Sequence, residues 1–363
     1  MLCSRKLYKS IFLILLVIIT FSCKSKQQAT YDYSYYSELI QDSTQADSIK
    51  KEIFNKNQYT EKNIRLLSKY YIRSGNYSEL FRYFKPVFEK AMITHEYDVS
   101  TYSGAFLATA YLELDKIDSM AYYINRILKY TDNNNPNDIY YTGLIHNLSA
   151  INAIRYNMNY TEALKHYQIA REAMEKLRDS TNLSVVLINI AGIFSMRQDT
   201  SGFLYARKAY DLSKSSDNNI LKIRTSILMG NQHFLLEDID SALFYLNMAV
   251  DYINRYDIER NSKIQVNMLL GKIYHYNNQN IKAEQCFIEA ISEMRNREDL
   301  NGFDIQTYIA YGDLKMDMKD YGQAINLYKA GLSISQSNKN NENTYILLEK
   351  LSKAYELLNN PIH

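Results

Sequence analysis

Leu270–Ile291 reads LGKIYHYNNQNIKAEQCFIEAI, and its spacing decides the fold. Gly271 and Tyr274 lie three apart in one run, and Ala283, Phe287 and Ala290 lie at i, i+4 and i+7 in the next. Residues at these separations share one face of an α-helix. Between the runs, Asn277-Asn278-Gln279-Asn280 is turn chemistry. Two helices joined by so short a turn pack antiparallel. Small Gly271 and Ala283 let their backbones approach closely, and Tyr274 and Phe287 fill the space beside them.

The same spacing recurs outward in both directions. Counterparts of Ala283 are Leu80, Met120, Ala163, Gly202, Ala242 and Ala324, at intervals of 40, 43, 39, 40, 41 and 41 residues. Four residues after each stand Phe84, Ile124, Tyr167, Ala206, Leu246, Phe287 and Tyr328. Seven after stand Val87, Ile127, Ala170, Ala209, Ala249, Ala290 and Gly331. All three positions fall on one face of a second helix, turned toward its partner. Three residues before the small position comes a turn exit, as at Tyr77, Ile117, Tyr160, Ile239 and Tyr321. Pro86 falls inside one second helix and is expected to kink or end it.

The pattern L-G-x2-Y followed by A-x3-F resembles the tetratricopeptide repeat, TPR. The resemblance implies an all-α fold: an α-solenoid of about seven TPR-like helix-turn-helix repeats over 51–359. The units fall near 56–92, 97–131, 138–176, 180–215, 219–256, 260–296 and 301–337. A capping helix follows at 344–358, TYILLEKLSKAYELL, without a partner helix. Repeats of this family run to about 34 residues, so the extra length goes into longer helices and loops. Leu80 and Met120 replace the small residue, so the first two units depart from the family pattern, as does the fourth.

Composition agrees with that class. Only 3 Pro and 11 Gly occur in 363 residues, too few breakers for an all-β chain of many turns. The net charge is +2, and removing Arg5, Lys6 and Lys9 with a leader takes it to −1. A nucleic-acid binder carries a basic face and a high pI, so no nucleic-acid partner is expected. Tyr (34) far outnumbers Phe (13); many of these Tyr fall at expected packing positions.

Basic Arg5, Lys6 and Lys9 precede an apolar run, Ile11–Ile19, too short to span a bilayer. Ser22-Cys23 follows, and residues 1–22 look like a bacterial lipoprotein signal, although Thr20 departs from the preferred Leu. The resemblance implies lipid on Cys23, which becomes the first mature residue. Residues 23–50 read as a polar tether, with a short helix around Asp47–Phe54. Lys24-Ser25-Lys26 carries no acidic surface-export signal, so the expected location is the cell envelope, lipid-anchored at the outer membrane and facing the periplasm. Cys286 then remains alone, a packing residue with no disulfide partner.

The six His make no His-Glu-x-x-His pair, and no Cys–His set has zinc spacing. There is no phosphate loop and no Gly-x-Ser-x-Gly elbow. The expectation is a non-catalytic chain without cofactor or metal. In the family that it resembles, first helices line a concave groove for a protein or peptide partner. The groove candidates by register are Asn152, Arg155, Arg224, Asn231, Gln265, Lys272, His275 and Tyr276. Asn231 follows Gly230 and Lys272 follows Gly271, where Asn, Lys or Arg would hold a backbone amide or a carboxylate. The expected role is a membrane-anchored interaction scaffold. The alternatives are a sensor signalling through a separate membrane or transcriptional regulator, and a glycan-binding uptake component.

Overall fold

A computed structural model describes residues 42–359, with short gaps at 115, 131–135, 158, 198, 257–259, 296–299, 301 and 338–340. The leader, Cys23 and the stretch up to residue 41 lie outside the described residues. Among the described residues there are sixteen α-helices and no strand. They group into two compact units, one of residues 42–190 with 211–221 and the other of 191–210 with 222–359.

In the first unit α1 (Ser43–Asn55) packs on α2 (Glu61–Arg73). It opens at Ser43, inside the stretch read as tether, because the Asp42 carboxylate accepts from the Gln45 N–H at 2.9 Å and starts the helix there. Then come α3 (Tyr77–Thr94), α4 (Tyr97–Glu113), α5 (Ile117–Ile127), α6 (Pro136–Asn157) and α7 (Tyr160–Leu177). Pro136 occupies the first helical position, where its missing N–H costs nothing. First helices touch in sequence, α2 on α4 and α4 on α6, while α6 and α7 form a close hairpin.

Ranges that bridge the division in the chain are α8 (Ser180–Met196), α9 (Gly202–Lys214) and α10 (Asn219–Leu235). Within the second unit follow α11 (Ile239–Tyr256), α12 (Arg260–Tyr276), α13 (Asn280–Met294), α14 (Gly302–Asp317), α15 (Tyr321–Ser337) and α16 (Asn341–Asn359). Here too first helices meet: α12 touches α14, and α14 touches α16.

Every residue of the three-position register is buried, from Leu80, Phe84 and Val87 through Ala324, Tyr328 and Gly331. The founding stretch shows why. A Cβ on Gly271 would lie 2.7 Å from Cε1 of Phe287, so the ring of α13 rests on the bare backbone of α12. Gly312 faces Tyr328 and Gly230 faces Leu246 in the same manner. The turn exits Tyr77, Ile117, Tyr160, Ile239 and Tyr321 are each the first residue of a second helix.

The hairpin turns repeat as well. Gly75, Glu237, Asn278 and Lys319 hold left-handed φ of 66°, 60°, 57° and 62°. The next residue donates its N–H five residues back: Asn76 to Tyr71, Asp238 to His233, Gln279 to Tyr274 and Asp320 to Lys315, at 2.8–2.9 Å. This closure satisfies the last carbonyls of the first helix. Asn76, Asp238 and Asp320 then cap the second helix through their side chains.

Pro86 does not end its helix, one of the two outcomes expected from the sequence: α3 runs from Tyr77 to Thr94 with the proline inside it. The ring is on the exposed face, so the carbonyl it leaves unbonded is open to water. Phe84, Val87 and Phe88 are buried on the opposite side and hold the helix together.

Candidate functional site

The first helices of the second unit carry a polar cluster at one register. Asn231, Lys272 and Asp313 each follow the glycine of their helix, at intervals of 41 residues. Glycine at the preceding position draws the second helix close, and the following side chain stands about 100° further round its own helix.

Lys350 on α16 reaches Oδ1 of Asp313 at 2.6 Å, and the Tyr328 hydroxyl donates to the same oxygen at 2.6 Å. Burial pushes the Lys272 ammonium down to about 8, and Lys350 adds to that, while Asp313 opposes it. His275 Nε2 stands 3.1 Å from Oδ2 of Asp317. Burial lowers the His275 pKa against the pull of Asp313, and burial raises that of Asp317 against Lys350 and Lys353. The Tyr276 ring is exposed and lies edge-on to Phe234 of α10, centroids 5.7 Å apart. Basic, acidic and aromatic groups thus share one strip of the unit.

Asn231 differs from its neighbours. It is 0% exposed, and neither its Oδ1 nor its Nδ2 has a hydrogen-bond partner. Beside it, Gly230 lets Leu246 of α11 come so near that a Cβ on the glycine would stand 2.6 Å from Leu246 Cγ. By contrast the adjacent Gln232 donates to Ser195 Oγ at 2.5 Å. Gln306 likewise donates to Asn343 Oδ1 at 3.0 Å, and in the other unit Asn189 donates to Asn147 Oδ1 at 3.1 Å. These buried carboxamides are therefore bonded to a neighbouring first helix, or to α16, through at least one atom.

Of the other sequence candidates, Gln265 and Arg224 are half-buried in the second unit, and Arg224 is engaged by neighbouring groups. Asn152 and Arg155 belong to the first unit, both half-buried. Asn152 Oδ1 is shielded from water without a partner. Cys23 lies outside the described residues. Sequence reasoning missed Asp313, Asp317 and Lys350. Asp313 was legible from the 41-residue register, whereas Lys350 sits on a helix with no second helix to set its register. Burial raises the Cys286 thiol to about 11, with Glu289 adding to it, so that residue is a packing group with little thiolate. Among the described residues no group of three or more His, Cys, Asp or Glu stands together as a metal site, and no helix is long and apolar enough to cross a membrane.

No protein-family model matches the chain, and no curated protein matches it in sequence. Solved structures do match in fold. NprR in complex with its cognate peptide NprX aligns with TM-score 0.63 at 12% identity, over 87% of this chain and 86% of NprR. A Rap protein complexed with Competence and Sporulation Factor aligns with TM-score 0.61 at 15% identity, over 83% and 87%. A signal-transduction ATPase with a tetratricopeptide repeat sensor from Pyrococcus horikoshii aligns at 0.50 and 15%, over 84% of this chain and 48% of its own. The chain is an all-α, TPR-like solenoid of helical hairpins.

Proposed function

We propose that this protein is a non-catalytic interaction scaffold that holds an extended peptide, or an extended segment of a partner protein, along the first helices of its repeats. We further propose that lipid on Cys23 anchors it in the bacterial cell envelope, at the outer membrane and facing the periplasm. The observation that carries the binding role is Asn231. A buried carboxamide without a partner costs about 1–3 kcal/mol, and its donor and acceptor match the C=O and N–H of one peptide unit. Lys272, one repeat on, holds an ammonium that burial disfavours; a carboxylate from the ligand would relieve it. The fold neighbours support a peptide ligand, since NprR and the Rap protein were each solved with a bound partner.

Because Asn231 is closed off in the ligand-free chain, binding must part the side chains over it, which slows association. A random-peptide display selection on the immobilised full chain tests the reading. Enriched peptides are expected to bind wild type and to lose most of their affinity for Asn231→Leu. Failure to enrich any sequence, or equal binding by the variant, overturns it.

A second reading is favoured by the tetratricopeptide repeat sensor among the fold neighbours. On it, the bound peptide is a signal that the chain passes to a separate membrane or transcriptional regulator. Peptide-dependent recovery of such a regulator from cross-linked cells would distinguish it from a static scaffold.

A further inference from the structure

His146 on α6 and His166 on α7 are twenty residues apart in sequence, a spacing that matches no metal motif. The hairpin places their Nδ1 atoms 2.8 Å apart, with ring centroids at 4.9 Å and planes inclined by 45°. Neither ring is fully buried, so water reaches them. With metal–nitrogen bonds of about 2.0 Å, two nitrogens at this separation subtend roughly 90° at a shared ion. That is the angle between adjacent corners of a square-planar or tetragonal site. A tetrahedral ion needs the nitrogens wider apart, at roughly 3.3 Å for the same bond length.

We propose that His146 and His166 form a two-histidine site for a divalent transition metal ion of tetragonal preference, of the Cu(II) or Ni(II) class. In the free pair one Nδ1–H donates to the other Nδ1; on metal binding that proton moves to Nε2 of its own ring, and both Nδ1 lone pairs face the ion. Glu162, one helical turn before His166, is held by the Asn159 amide at 2.9 Å. The remaining coordination positions therefore fall to water or to a group from a bound partner.

The test is titration of the tag-free full chain with Cu(II) and, separately, with Ni(II) and Zn(II), followed by calorimetry and by electron paramagnetic resonance of the copper form. The expected result is one saturable site whose copper spectrum carries hyperfine splitting from two equatorial imidazole nitrogens, with Cu(II) bound most tightly, as the Irving–Williams order requires, and Ni(II) bound more tightly than Zn(II), as the right-angled pair of nitrogens requires. His146→Gln and His166→Gln should each lose that site and that splitting pattern, while His95→Asn keeps both. Melting curves of the variants show whether they remain folded. If copper binds the two Gln variants as it binds wild type, or if wild type shows no two-nitrogen site, the proposal fails.

Discussion

A methyl group on Gly271 would meet the Phe287 ring at 2.7–2.9 Å across three ring atoms. Replacing Gly by Ala inside a helix gains about 1 kcal/mol of propensity, but overpacking a filled core costs about 1–3 kcal/mol, and three ring contacts under 3.0 Å put this site at the upper end, for a net loss of about 1–2 kcal/mol. Phe287 is fully buried and has nowhere to swing, so Gly271→Ala should lower stability by about 1 kcal/mol or more in a thermal or denaturant melt. Asn231 works in the opposite direction. Asn231→Leu exchanges an unbonded buried carboxamide for an apolar group of similar volume and should stabilise the ligand-free chain by about 1–3 kcal/mol. A variant that melts lower than wild type would show that the amide is satisfied in the folded chain and would remove the argument for ligand binding.

Helices here are set by their ends as much as by their faces. Four of the described hairpin turns close on a residue with left-handed φ, yet only Gly75 among Gly75, Glu237, Asn278 and Lys319 is a glycine. A side chain in that region costs about 1–2 kcal/mol, partly offset by the greater freedom that glycine gives the unfolded chain. Glu237→Gly should therefore stabilise the α10–α11 hairpin by about 0.5–1 kcal/mol, read as a rise in melting temperature. α3 carries the converse lesson. Pro86 costs one backbone bond, but the buried row of Phe84, Val87 and Phe88 outweighs it. A proline reads as a helix break only where no apolar face holds the two halves in line.

At the scale of the whole molecule the unit-specific chemistry is electrostatic. The folded chain holds the Lys272 proton only up to about pH 8, below lysine's ordinary range, chiefly through burial. Between about 8 and that ordinary range the unfolded chain binds more protons than the folded one, so this residue makes stability rise with pH across the window; below it the cost is fully present. Lys272→Met should flatten that rise relative to wild type, measured by melts between pH 7 and 10. The other whole-molecule expectation concerns the anchor. Cys23→Ser should release the protein from membranes on fractionation; retention would mean that lipid on Cys23 is not what holds it.

Much of the fold was legible from one stretch. The Ala283, Phe287 and Ala290 face, repeated about every forty residues, marked which positions would be buried, because helix period and small-residue contacts are local properties that a sequence displays directly. The tertiary structure alone decided which polar groups meet. Lys350 reaches Asp313, His146 reaches His166, and Asn231 is shut in without a partner. Those outcomes depend on the angle and offset at which one helix lies on another. Differences of an ångström or two decide whether a side chain bonds, faces water or is sealed away, and no spacing along the chain records them.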